Sequence, residues 1–260
     1  MAETAYFERL DGAGRFRATP RLSGAWRTDE QHIAPALGLL AHVVEQDRDA
    51  RRDDGLVIGR LSWDILGTLP VGEVETDVEV LRAGRTIELV QSRMSSGGRD
   101  AVLLRAWLMR PGDTAAVAGT ALDPIPGPDE LEPWDPTTVW PGGFIESAQL
   151  RRAQEEPGRA VFWVRSGVAL LDGEPVGGLA HAARLFDIAN GMTVRQDPRE
   201  VAFPNLDLTA HLFAEPTGDW LGFDTRVSFG DRGLGLTASV LHDERGPIGT
   251  MSQILTVRPM

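Results

Sequence analysis

The sequence predicts an α+β protein made of two copies of one unit, each a helix accompanied by antiparallel strands. Three observations carry this. Apolar residues recur at helical spacing over 33–46 and again over 179–190. The segments after each helix alternate apolar and polar side chains between turns containing Gly or Pro, as antiparallel strands do. A stretch rich in proline and acid then divides the chain nearly in half.

In order, FRATPRLSGAWRT (16–28) suggests a short strand and a turn before the first helix. That helix is expected from about Ile33 to Gln46, with Pro35 tolerated in its opening turn and Leu37, Leu40, Ala41 and Val44 on one face. DRDARRDD (47–54) is its solvated exit. Strands follow in VIGRLSWDIL, EVETDVEVLRAGRTIELVQSRMSS and RDAVLLRAWLM, with turns at Arg82–Arg85 and Ser96–Gly98. Between Asp123 and Gly143 stand six prolines and five carboxylates with no basic residue, which is expected to form a linker rather than a packed element. Two further strands, IESAQLRR and RAVFWVRS, lead to the second helix, whose apolar stripe is Ala182, Leu185, Phe186 and Ala189 and whose stop is Asn190-Gly191. From Phe203 to Val257 the chain returns to strands, with turns at Gly218-Asp219, Gly230–Gly233 and Arg245–Pro247.

The 260 residues suffice for one large or two small domains with a sizeable core. A net charge of −12 argues against a nucleic-acid partner, which needs a basic face. All 26 basic residues are Arg, as expected of a GC-rich genome, so a phosphate contact must use Arg, His or backbone N–H groups. Without cysteine there is no disulfide framework, thiol nucleophile or thiolate metal site. The five histidines show no metal-ligand spacing, so neither metal nor cofactor is expected. No signal peptide is visible and no apolar run approaches the length of a membrane span, so the expectation is a cytoplasmic protein without membrane insertion.

Three polar residues interrupt the strands of the last segment: Asp207, Ser228 and Gln253. Judged alone, an acid beside a strand is more often a turn cap or a solvated group than a catalyst. The order NLDLTAHL, a serine-bearing strand followed by a Gly-x-Gly turn, and Ser-Gln before a closing strand resembles the second half of double-hotdog acyl-CoA thioesterases of the thioesterase II type. That resemblance implies a double hotdog, two tandem repeats of a helix wrapped by a curved antiparallel sheet, and an acyl-CoA substrate. It also implies that Asp207, Ser228 and Gln253 position the hydrolytic water; the His that follows the acid in that family is Leu208 here. His211 shares a strand face with Asp207 but is expected to be a sheet-edge residue.

Laying one half over the other sets Asp64 opposite Asp207, Leu81 opposite Ser228 and Ala106 opposite Gln253. The expected organisation is an N-terminal scaffold copy (1–122), the linker (123–143) and a catalytic C-terminal copy (144–260). A homodimer is expected because sheets with free edges tend to pair. Two alternatives to thioester hydrolysis stand beside it: a hotdog enoyl-CoA hydratase or dehydratase, and a non-catalytic acyl-CoA-binding protein.

Overall fold

The computed structural model describes residues 5–12 and 14–260. Two strands, β1 (Ala5–Arg9) and β2 (Arg15–Ala18), precede the helix α1 (Ile33–Arg51). Then come β3 (Val57–Ile65), β4 (Glu73–Arg82), β5 (Ile87–Ser96) and β6 (Arg99–Met109), followed by the short β7 (Pro133–Trp134) and the helical turn α2 (Gly143–Ser147). The second half holds β8 (Ala148–Glu156), β9 (Arg159–Ser166), β10 (Ala169–Leu171), α3 (Gly178–Ala183) and α4 (Ala189–Met192). It closes with β11 (Val201–Ala202), β12 (Asp207–Leu212), β13 (Leu221–Phe229), β14 (Leu234–Asp243), β15 (Gly246–Thr256) and β16 (Arg258–Pro259).

Among the described residues one 14-stranded sheet runs β10-β1-β2-β4-β5-β6-β3-β12-β15-β14-β13-β9-β8-β7. The order explains the internal repeat. Reading outward from the β3–β12 junction, β6, β5 and β4 on one side answer β15, β14 and β13 on the other. The strands β5 and β14 are both 10 residues long, and β6 and β15 both 11. At the junction Asp64 and Asp207 are direct cross-strand partners, with Ser62 opposite Thr209. The overlay of the two halves therefore meets itself at the seam. The hydroxyls of Ser62 and Thr209 stitch it at 2.8 Å.

The helices fill the concave side of this sheet. From Ala34 to Val44 every residue of α1 is buried, which is why its apolar pattern is broader than one stripe. It crosses α3 where Gly38 meets Arg184; a Cβ at Gly38 would stand 2.7 Å from the Arg184 Cβ, so only glycine lets the helices approach this closely. Together these layers form the double hotdog in an α+β arrangement. No helix among the described residues is long and apolar enough to cross a membrane.

Three expectations differ from what is seen. The first helix runs on to Arg51, so most of 47–54 is helical rather than an exit. The second helix is not continuous over 179–190. It runs as α3, a 3₁₀ turn at Phe186–Ile188 and α4, with Asp187 at non-helical φ −79° and ψ 26°. The segment 123–143 is not a solvated linker throughout: β7 pairs with β8, and Leu131 and Trp140 are buried. Its few apolar residues supply the packing that its prolines and acids conceal in composition. The two halves also interlock, since β10 adds in parallel to β1, with Ala5 opposite Ala169.

Candidate active site

The break in the second helix turns the Asp187 carboxylate into the interior, where the residue is only 8% exposed. Two side-chain amides meet it there. Asn205 Nδ2, just before β12, donates to Asp187 Oδ1 at 2.7 Å, and Gln253 Nε2, from β15, donates to the same oxygen at 2.9 Å. Asn205 gives its other amide hydrogen to the backbone carbonyl of Asp207 at 3.2 Å. Among the described residues Asp187 Oδ2 accepts no hydrogen bond, and the buried Gln253 Oε1 has no partner.

Burial pushes the Asp187 carboxyl up to about 7, and the amides of Asn205 and Gln253 oppose that rise without cancelling it. Desolvation outweighs two hydrogen bonds because, among the described residues, no cation compensates the charge. A carboxylate that changes protonation near neutrality can accept a proton from water and return it. The free carboxylate oxygen offers an acceptor for a water molecule.

The carboxylate opens into a cavity of about 440 Å³ between the two halves. Trp26, Trp140 and Phe203 wall it in mutual edge-to-face contact, with ring centroids 4.9 to 5.9 Å apart. Trp140 is fixed by donating from Nε1 to the Gly191 carbonyl at 2.9 Å. Ile33, Ile65 and Leu66 of the N-terminal half and Ile188 and Met192 of the C-terminal half complete an apolar lining. The N-terminal half thus contributes walls, and so does the proline-rich segment through Trp140.

Of the three residues singled out in the sequence, the structure brings only Gln253 to this cluster. Asp207 stands at the start of β12 with Oδ1 accepting the Ile254 N–H at 2.7 Å, which extends the strand ladder. Ser228 is exposed on the other face of the sheet. Its cross-strand neighbour Leu236 pairs in turn with Ile254, and both are exposed at 47% and 41%. Because side chains alternate faces, Gln253, one position before Ile254, points inward. Asp187 and Asn205 were the residues not singled out. Their signals were present: Asp187 is an acid between Phe186 and Ile188 in an apolar stretch, and Asn205 opens the same NLDL motif that drew attention to Asp207.

Family matches along both halves identify the chain as a thioester hydrolase. The chain belongs to the acyl-CoA thioesterase family, whose N-terminal domain matches residues 22–110 and whose C-terminal domain matches residues 121–257. Solved structures agree in fold. A hotdog-fold protein of unknown function from Alicyclobacillus acidocaldarius is 13% identical, with TM-score 0.75 over 99% of this chain and 97% of that one. An acyl-CoA thioesterase II from Mycobacterium marinum is 14% identical, with TM-score 0.68 over 98% and 96%. A 12:0-ACP thioesterase from Umbellularia californica is 14% identical, with TM-score 0.53 over 94% and 93%. No curated protein matches the sequence.

Proposed function

We propose that the chain hydrolyses acyl-CoA thioesters with a water held by Asp187, Asn205 and Gln253. The observation that carries this reading is the convergence of both amides on one oxygen of a buried carboxylate, which leaves the other oxygen toward the cavity. The acyl chain lies in the apolar cavity, and the CoA moiety extends out past its mouth.

In the proposed step, ionised Asp187 takes a proton from the water while the water oxygen bonds to the thioester carbon. The carbonyl π pair moves onto oxygen. As that pair returns, the carbon–sulfur bond breaks and the thiolate leaves, taking up the proton held on Asp187. Asn205 and Gln253 fix the carboxylate, so the water is aimed before the reaction begins. Free acid and CoA are the products, and no covalent enzyme intermediate is needed.

Thiol release from acyl-CoAs of increasing length tests the proposal, and the absence of cysteine keeps the background of a thiol reagent negligible. Turnover that rises and then falls with chain length is expected from an apolar cavity of about 440 Å³. Absence of thiol release with every member of the series, in the presence of saturable acyl-CoA binding, contradicts it and favours the non-catalytic reading.

A further inference from the structure

Thioester hydrolysis needs a donor for the carbonyl oxygen as it becomes an oxyanion, and the Asp187 cluster is poorly placed to give one. Asn205 commits both amide hydrogens, to Asp187 and to the Asp207 carbonyl, and Gln253 turns its amide nitrogen toward Asp187. Another polar group in the same cavity is unaccounted for. His32 lines it at the head of α1, half-buried, with its ring packed at a tilt of 32° against Phe144, 4.2 Å between centroids.

The hydrogen bonding of His32 fixes which nitrogen carries the proton. Nδ1 accepts the Ala34 backbone N–H at 3.2 Å as the cap of α1, so in the neutral ring Nε2 is the N–H. Among the described residues Nε2 meets no hydrogen-bond partner, yet it is not one of the sealed polar atoms of the interior. An accessible N–H without a protein partner is free to donate to a group in the cavity it lines. Burial also pushes the His32 ring down to about 3, so it stays neutral through the working range and cannot compete as a base.

We infer that His32 Nε2–H is the hydrogen-bond donor to the carbonyl oxygen of the bound thioester. The N-terminal half then supplies a catalytic residue rather than walls alone, and one site is assembled from both halves: the base from the broken second helix, the donor from the cap of the first. Pro35, three residues past His32, removes one backbone N–H from the first turn of α1, which makes a side-chain donor there more consequential.

The inference rests on the thioesterase reading, and two unreactive substrate analogues separate the two. In one a methylene replaces the sulfur and keeps the carbonyl; in the other a methylene replaces the carbonyl and keeps the sulfur. Their dissociation constants are measured by calorimetry with wild type, His32→Asn and His32→Phe. Asn retains an oxygen that caps the helix but is too short to present the donor, and circular dichroism and thermal melting check the fold of both variants.

Wild type is expected to prefer the carbonyl-bearing analogue by about 5- to 10-fold, the worth of one hydrogen bond. His32→Asn is expected to bind both analogues alike and to lose about 10²-fold in kcat. A carbonyl preference or a kcat left intact in His32→Asn overturns the assignment of His32 alone. Failure of wild type to bind either analogue overturns the thioesterase reading along with it.

Discussion

Gln253 Nε2 lies 2.9 Å from Asp187 Oδ1, joining two side chains 66 positions apart in the chain. The contact ties the last long strand to the break in the second helix, and it defines where the carboxylate sits. Its chemical consequence is measurable. Both amide donors favour the ionised form of Asp187. With Gln253→Ala, kcat is expected to fall by about 10²-fold, as a water loses its positioning. The acidic limb of the rate profile should also move to higher pH, because the group then ionises less readily. A drop in rate with an unmoved limb contradicts the role given to this bond.

The wild-type profile carries its own expectation. Asp187 must be ionised to act as base, and burial holds it up at about 7. The rate at low substrate should rise with pH and level off above that point. A limb near 4, the range of an ordinary carboxyl, means that the working acid is solvated and lies elsewhere.

Stability should respond in the opposite sense. The folded state holds the Asp187 proton up to about 7, whereas an unfolded chain releases it near 3.8, as an ordinary aspartate does. Ionisation therefore costs stability progressively as pH rises between those values. Asp187→Asn removes that cost and should be more stable than wild type by on the order of 2–4 kcal/mol at pH 8, and about equal below pH 4. Denaturant midpoints at the two pH values measure it. An equal difference at both assigns the effect to packing instead.

Trp140 gives a prediction about the proline-rich segment. Replacing it with Ala removes a buried cavity wall and the bond to Gly191. Longer acyl chains should gain relative to short ones in kcat/KM, with a loss of stability of roughly 3–5 kcal/mol. An unchanged length preference argues that the segment serves the fold only.

Much of the fold was legible because it is written in periodicity. The first helix, the hairpin turns and the equivalence of Asp64 with Asp207 follow from residues whose spacing is set by the backbone, whereas their pairing across the seam was not foreseen. What was not legible is where periodicity fails. Leu179 to Asn190 has the stripe of one helix, yet its tertiary partners Asn205 and Gln253 hold Asp187 out of helical geometry. Ser228 and Gln253 both interrupt strands, and composition does not say which face each one takes. Asp207 looked like the acid of the site because it sits in the motif, while its neighbour Asn205 makes the contact. Trp140 lay in a stretch whose prolines masked its burial.

The central claim is that Asp187, not an acid on the strands, activates the water. Thiol release from one acyl-CoA, measured side by side for Asp187→Asn and Asp207→Asn, tests it most directly. Asn at 207 keeps an oxygen to accept the Ile254 N–H, so that variant should turn over within about twofold of wild type. Asn at 187 keeps the shape of the cluster but cannot take a proton, and should lose about 10²–10⁴-fold. The reverse pattern, with Asp207→Asn inactive and Asp187→Asn active, contradicts the account.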